Sequence, residues 1–233
     1  MRILLVCLAF CACAAEGPEE KTAEIRPGST MDAELHFDRG AALAARGRYT
    51  EAIDAYLKAA DLAPGYTKVQ YNLGNAYVRQ LDYPHAIEAY QRALALDSTH
   101  VSARHNLAAM YVKQLNYAQA IEEHRKVLAF DPRHMATYYD LSYIYFLRGE
   151  YGEVETLLTE GVRRDSTDAS FHRLLGRMRF KELAFDQAVV ALNRSVELDS
   201  THAATFTDLA QVEMKRRDYA AAEQAARRAV ELD

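Results

Sequence analysis

Cysteine is nearly absent from this chain of 233 residues, which has only three. Cys7, Cys11 and Cys13 all lie close to the N-terminus. Residues 14–233 therefore contain no disulfide bond and no thiolate metal site.

Glycine and proline are also scarce, with 10 and 5 residues respectively. These counts lie below the average usage of about 7% and 5%. Half of the residues are hydrophobic and 26% are charged. This composition excludes a disordered or collagen-like chain and favours a helix-rich globular one. The formal net charge is −5 and no basic tract occurs, so we expect no nucleic-acid partner.

The first fifteen residues have the pattern of an export signal. Met1-Arg2 gives a positive start, and residues 3–10 (ILLVCLAF) form an apolar run. Such a run is too short to span a bilayer, which needs about 20 residues, but it fits the core of a signal peptide. Two cleavage patterns compete. Ala12-Cys13-Ala14 suits an ordinary signal peptidase, whereas Phe10-Cys11-Ala12-Cys13 resembles a bacterial lipobox.

The lipobox pattern predicts lipidation of Cys13. The apolar run is short and no later cysteine needs a partner, so we expect a lipoprotein on the periplasmic side of a bacterial membrane. Its contact with the membrane is then limited to this anchor. The other pattern predicts a soluble periplasmic or secreted protein. Residues 16–32 have mixed charge, Pro18 and Pro27, and no apolar period, which predicts a flexible tether.

A period of 34 residues runs through the rest of the chain. We call the residues at one position of successive repeats a column. The most regular column is aromatic and consists of Tyr49, Tyr83, Tyr117, Tyr151, Phe185 and Tyr219. A second column, three positions later, consists of Ala52, Ala86, Ala120, Val154, Ala188 and Ala222. Such columns predict an array of repeats that share one core between neighbours.

Each unit has the pattern of two helices joined by a short turn. In the second unit, one amphipathic helix is predicted by apolar residues at i, i+3, i+4, i+7 and i+8, namely Ala86, Ala89, Tyr90, Ala93 and Leu94. Pro84 stands where that helix begins, in the one turn that tolerates a missing N–H. We place the six units at 33–66, 67–100, 101–134, 135–168, 169–202 and 203–233.

These units resemble the tetratricopeptide repeat (TPR), whose pattern is W-x2-L-G-x2-Y followed by an alanine, an aromatic residue and a proline. The best match is the segment YNLGNAY at 71–77, followed by Tyr83, Ala86 and Tyr90. The resemblance implies an all-α fold, a right-handed superhelical α–α solenoid of six helix-turn-helix repeats over residues 33–233. The family's tryptophan is replaced in the six units by His36, Gln70, Arg104, Tyr138, His172 and Phe206.

In this family, the first helix of each pair lines a concave groove that holds a peptide or a partner's helix. The resemblance places a polar ladder in that groove, made of Asp38, Asn72, Asn106, Asp140 and Asp208. Further groove candidates on neighbouring columns are Asn75, Arg79 and Lys113. An asparagine side chain can bond both the N–H and the C=O of an extended peptide, which gives a grip that tolerates many sequences. Asn72, Asn75, Arg79 and Lys113 are also ordinary consensus residues of the family.

The fourth and fifth units carry more distinctive groove residues. Three aromatic residues share one face of the predicted helix because they are spaced by four and three positions: Tyr139, Tyr143 and Phe146. Three basic residues share the equivalent face of the next unit: Arg173, Arg177 and Lys181. We expect an aromatic surface beside a basic stripe, suited to a segment with an apolar side chain near a carboxylate.

Enzyme motifs do not occur in the chain, which has no Gly-rich phosphate loop, no H-E-x-x-H and no G-x-S-x-G. We therefore expect a protein that is not an enzyme and needs no cofactor. His100, His134 and His202 recur at one repeat position. Equivalent positions of adjacent repeats lie roughly 10 Å apart, whereas zinc ligands lie about 2 Å from one ion. We predict that these histidines are loop or cap residues and that there is no metal site.

The resemblance extends to bacterial TPR lipoproteins of the cell envelope. We therefore expect an exported, lipid-anchored adaptor or scaffold that binds a protein or peptide in its groove, for example during assembly of envelope complexes. The alternative is a structural subunit that assembles through its C-terminal end. There, Glu213 and Ala226 stand where large apolar residues normally stack on a following helix. The sequence leaves the homo-oligomeric state open.

Overall fold

The structure is a computed structural model that describes residues 27–233. The predicted export signal, Cys13 and the first part of the tether lie outside the described residues. Within them, the chain forms twelve α-helices: α1 (Pro27–Ala45), α2 (Tyr49–Leu62), α3 (Thr67–Arg79), α4 (Tyr83–Leu96), α5 (Val101–Lys113), α6 (Tyr117–Phe130), α7 (Met135–Arg148), α8 (Tyr151–Arg164), α9 (Ala169–Lys181), α10 (Phe185–Leu198), α11 (Ala203–Arg216) and α12 (Tyr219–Leu232).

Consecutive helices pack in pairs, from α1 with α2 to α11 with α12, and each pair packs on the next. From the second pair onward, the first helices begin at regular intervals of 34 residues, at Thr67, Val101, Met135, Ala169 and Ala203. Because the main contacts join neighbours in the chain, the array is a one-dimensional stack, an all-α solenoid. None of the helices in the described range is long and apolar enough to cross a membrane.

The first helix starts earlier than the sequence pattern suggests. α1 begins at Pro27, so residues 27–32 are helical and do not belong to the flexible tether predicted for 16–32. Proline is tolerated there because the N–H groups of the first turn have no partner inside the helix. Packing begins at Ala33, which is fully buried. The repeat pattern begins at this first packed residue, whereas α1 extends about two turns further towards the N-terminus.

The two periodic columns have distinct places in the fold. The aromatic column supplies the first residue of every even-numbered helix, from Tyr49 of α2 to Tyr219 of α12. The alanine column is buried in all six repeats, which lets the paired helices approach closely. Pro84 lies in the first turn of α4, as predicted. Tyr219 is 62% exposed, because within the described residues no repeat packs over it.

The turn inside each helix pair contains one residue with a left-handed backbone at the same repeat position. These residues are Gly47, Leu81, Leu115, Gly149, Leu183 and Arg217. A left-handed conformation is unfavourable for leucine and arginine, whose Cβ crowds the backbone. The three leucine side chains are also exposed, so burial does not offset this strain. The packing of the two helices therefore imposes the left-handed turn. Only at Gly47 and Gly149 is the residue one that favours this conformation.

Small and large residues face each other across the helix pairs of the first, second and fifth repeats. A Cβ atom on Gly74 of α3 would lie 2.4 Å from the ring of Tyr90 on α4, so only glycine fits beneath this tyrosine. In the third repeat, the equivalent positions are occupied by Ala108 and His124. Here the smaller ring of His124 packs against an alanine instead of a glycine. An imidazole is therefore part of the core of the third repeat.

Candidate protein-binding groove

Odd-numbered helices of neighbouring repeats contact one another, namely α1 with α3, α7 with α9 and α9 with α11. Three of the five predicted ladder residues contact a neighbouring repeat, namely Asn106, Asp140 and Asp208. Asn106 of α5 bonds to Asn75 of α3, and Asp208 of α11 bonds to Arg173 of α9. This part of the ladder therefore joins neighbouring repeats as well as forming a polar surface.

Three polar side chains form a network between the second and third repeats. The Tyr90 hydroxyl donates to Asn75 Oδ1 at 2.7 Å, and Asn106 Nδ2 donates to the same oxygen at 3.0 Å. Burial raises the pKa of the Tyr90 hydroxyl, which keeps it a protonated donor. Asn75 Nδ2 and Asn106 Oδ1 take no part in the network. The Asn75 amide nitrogen can thus donate to a peptide backbone, and the Asn106 amide oxygen can accept from it.

The other predicted polar residues of these repeats have local partners or stand at helix ends. Asn72 Nδ2 donates to the carbonyl oxygen of Lys68 on its own helix at 2.8 Å. Arg79 Nε donates to the hydroxyl of Tyr49 at 3.0 Å. Arg79 and Lys113 are the last residues of α3 and α5, where a positive charge interacts favourably with the helix dipole. Both are exposed and available to a partner.

The three aromatic residues of α7 lie in a row, as their spacing predicts. The ring centroids of Tyr139 and Tyr143 are 6.4 Å apart and their planes differ by 4°. Tyr143 and Phe146 are also 6.4 Å apart, at 21°. The two tyrosines are half-buried, whereas Phe146 is buried. Phe146, predicted as a contact residue, therefore belongs to the core and supports Tyr143 from within.

The first residue of the predicted basic stripe is engaged in a contact between repeats. Arg173 Nε lies 2.6 Å from Asp208 Oδ2, and its Nη1 lies 3.0 Å from Nε2 of His202. The arginine and the aspartate are mostly shielded from solvent. Arg173 therefore links α9 to the sixth repeat and is not the free groove cation that the stripe predicts.

The other two basic residues remain available to a partner. The Arg177 guanidinium lies 5.9 Å from the ring centroid of Tyr143 and 5.1 Å from that of Phe146, within the range of a cation–π contact. Lys181 is exposed at the end of α9. The accessible part of the predicted patch therefore consists of four residues, which we call the aromatic–basic surface: Tyr139, Tyr143, Arg177 and Lys181.

A cluster of titratable side chains lies between the third and fourth repeats, where the sequence predicts no metal site. His105, His124 and Asp140 each bring one nitrogen or oxygen to within 4.8 Å of the others. Burial, together with His105 and His134, lowers the pKa of His124 to about 3. Burial also raises the pKa of Asp140 to about 6. At pH 7, His124 is therefore neutral and Asp140 is mostly ionised.

This cluster is not visible when only histidines at equivalent repeat positions are compared. Those residues, His100, His134 and His202, are the N-cap residues of α5, α7 and α11, as predicted. The cluster joins residues from different columns instead. Its one sequence signal is His124, which occupies the position of Tyr90 in the preceding repeat.

The C-terminal end of the solenoid exposes apolar side chains. Met214, Tyr219 and Val230 border an open groove of about 480 Å³ on α11 and α12, and all three are exposed. Glu213 is buried, and Arg216 Nη1 lies 2.7 Å from its carboxylate. Within the described residues, α11 and α12 therefore leave an apolar face uncovered.

Helix pairs that share a core and present a polar and aromatic face define a helical-repeat scaffold. Family models described as tetratricopeptide repeat match residues 67–100 and 111–178, and a model described as TPR repeat matches residues 40–80. Together these matches cover more than half of the chain, which belongs to the tetratricopeptide repeat family. No curated protein matches the chain in sequence.

Solved structures share this fold. PilF of Pseudomonas aeruginosa is 16% identical with a TM-score of 0.70, over 85% of this chain and 90% of PilF. PilW, described as a widely conserved type IV pilus biogenesis factor, is 14% identical with a TM-score of 0.72, over 83% and 90%. YrrB, described as a TPR protein with an unusual peptide-binding site, is 19% identical with a TM-score of 0.59, over 78% and 93%. At these identities, the likeness concerns the fold alone.

Proposed function

We propose that this chain is an exported, lipid-anchored TPR adaptor that binds a segment of a partner protein in its concave groove. Membership of the TPR family supports the general role of a scaffold for protein–protein interaction. The observation that carries the proposal is the aromatic–basic surface. There, Arg177 is held over Tyr143 while both residues keep part of their surface accessible.

This surface fits a segment with an apolar side chain near a carboxylate. The apolar side chain packs on the parallel rings of Tyr139 and Tyr143, and the carboxylate pairs with Arg177. Because the aromatic rings already hold Arg177 in place, binding costs less side-chain entropy. Tyrosine and arginine are also the residue types that most often dominate binding energy at interfaces.

The solved structures give the proposal its setting. PilW is described as a pilus biogenesis factor and YrrB as a protein with a peptide-binding site. For this chain, these descriptions support a peptide-like ligand and a role in assembling complexes of the cell envelope. We propose no catalytic activity and no cofactor for this role.

Alanine substitution of the aromatic–basic surface tests the adaptor function. The double variant Tyr143→Ala/Arg177→Ala is expected to lower capture of partner proteins from envelope extract by about tenfold or more, since both residues are of the hot-spot type. Quantitative mass spectrometry of the captured proteins, compared with wild type, measures the effect. Arg163→Ala, which removes an exposed arginine of α8, is the matched control and should capture as wild type does. Undiminished capture by the double variant, with unchanged circular dichroism, contradicts the proposal.

The proposed anchor is tested separately at Cys13. Radiolabelled palmitate is expected to enter the wild-type chain in cells and to be absent from Cys13→Ala, because acylation needs the thiol. Cys11→Ser is the control and should be labelled normally. Equal labelling of wild type and Cys13→Ala removes the lipid anchor and leaves the soluble exported form.

A second candidate function is supported by the C-terminal apolar face. Met214, Tyr219 and Val230 are exposed together at the end of the stack, as expected if another helix covers them. In that case the chain is a structural subunit that stacks on itself or on another subunit, with no ligand in the groove.

A further inference from the structure

Three potential metal ligands meet between the third and fourth repeats. Asp140 Oδ2 lies 3.6 Å from Nε2 of His105 and 3.9 Å from Nε2 of His124. The three residues come from the successive helices α5, α6 and α7. The stacking of the repeats, and not a mobile loop, therefore sets their arrangement.

His124 is the unusual member of this cluster. Its side chain is 0% exposed, and within the described residues neither ring nitrogen has a hydrogen-bond partner. In the preceding repeat, the tyrosine at this position bonds to two asparagine side chains. A buried imidazole without a hydrogen bond, facing a carboxylate, is expected where a ligand completes the site.

His105 is oriented by contacts on its far side. The hydroxyl of Thr137, which is fully buried, lies 3.3 Å from Nδ1 of His105 and 2.9 Å from Nδ1 of His134. Both hydrogen bonds are satisfied when His105 carries its proton on Nδ1 and Thr137 donates to His134. The lone pair of His105 Nε2 then faces Asp140. Metal-binding histidines commonly have their ring orientation and tautomer fixed in this way.

We propose that His105, His124 and Asp140 bind one divalent transition-metal ion, for which Zn²⁺ is the probe. Two imidazole nitrogens and one carboxylate oxygen form the donor set of three-ligand zinc sites, whereas Ca²⁺ and Mg²⁺ prefer oxygen ligands alone. Bonds of about 2 Å in a tetrahedral site place ligand atoms about 3.3 Å apart. Side-chain movements of about 1 Å close the cluster to that geometry.

The site would open towards the groove. Asp140 is a ladder residue and is partly exposed, as is His105, whereas His124 closes the site from the core. A carboxylate or imidazole of a bound segment can then occupy the fourth position of the ion. The metal site is independent of the aromatic–basic surface, so each can be tested without the other.

Zinc titration tests the site directly. The full-length protein with Cys7, Cys11 and Cys13 changed to serine is used, because thiolates also bind zinc. Calorimetry is expected to show one equivalent of Zn²⁺ bound at micromolar or lower concentration, and Co²⁺ is expected to give the visible absorption of a tetrahedral site. Asp140→Asn places at this position the amide that Asn106 supplies one repeat earlier, and it should weaken Zn²⁺ binding by about tenfold or more.

Two further variants complete the test. His124→Leu, which introduces the residue found at the equivalent position 158, should lose stoichiometric binding. His100→Ala removes a histidine outside the cluster and should bind as the starting protein does. Absence of stoichiometric binding in the starting protein overturns the site, and so does unchanged affinity in Asp140→Asn. Asp140 is partly exposed, so this variant remains informative even where His124→Leu fails to fold.

Discussion

Replacing Tyr90 by alanine is expected to lower the free energy of unfolding by about 3–5 kcal/mol, the range for large aromatic residues removed from a core. The Tyr90 side chain is 1% exposed and its ring lies directly over Gly74. Its hydroxyl also joins Asn75 and Asn106 across two repeats. The substitution thus opens a cavity and breaks the inter-repeat network. Urea denaturation of the full-length protein, followed by helical circular dichroism, measures the loss.

Two controls separate the packing of Tyr90 from its hydrogen bonds. Tyr90→Phe keeps the ring and is expected to lose only about 1 kcal/mol, the usual net contribution of a hydrogen bond. Tyr219→Ala removes a tyrosine from the exposed end of the aromatic column and should change stability by less than about 0.5 kcal/mol. A loss of stability for Tyr90→Ala no larger than that for Tyr219→Ala would contradict the role of Tyr90 in the core.

Removing the partner of the buried Arg104 is expected to have the next largest effect. Arg104 stands at the family's tryptophan position, and its Nη1 lies 2.6 Å from Glu123 Oε2. The side chains are only 10% and 13% exposed. Glu123→Ala leaves this guanidinium buried without its counter-charge, which is expected to cost about 3 kcal/mol. Urea denaturation again gives the measurement.

The neighbouring Glu122 supplies the matched control for Glu123. Both glutamates pair with Lys126, but Glu122 is exposed, so Glu122→Ala should leave stability unchanged within error. The double variant Arg104→Tyr/Glu123→Ala introduces the residue found at the equivalent position 138 and removes both charges. It should recover most of the stability. If it is as unstable as Glu123→Ala alone, lost packing and not the unpaired charge is the cause.

The repeat pattern was sufficient to predict the helices, because each depends on apolar residues close in sequence. The aromatic column supplies the first residue of each even-numbered helix, and Pro84 marks the start of α4 as predicted. The row of Tyr139, Tyr143 and Phe146 also follows from spacing along a single helix. Local periodicity sets these features, so the sequence alone reveals them.

Contacts between different columns could not be predicted in the same way. Comparing equivalent positions cannot show that Arg173 reaches Asp208 in the next repeat, or that Phe146 points into the core. The same holds for His105 and His124, which occupy different columns and meet only when the repeats stack. The helical start at Pro27 was missed because those residues precede the first packed position. Side-chain reach across the stack decides the contact of Arg173 with Asp208 and the meeting of the two histidines.

Photo-crosslinking in living cells tests most directly whether the groove holds a partner. A photo-reactive amino acid is placed at Lys181 of the aromatic–basic surface, at Val190 on the even-numbered helix α10, or at Val230 on the C-terminal face. All three positions are exposed. The adaptor account predicts adducts with another protein from Lys181 and not from Val190, with loss of the Lys181 adducts in Tyr143→Ala/Arg177→Ala. Adducts from Val230 to a second copy of the chain, with none from Lys181, contradict it and favour the structural subunit.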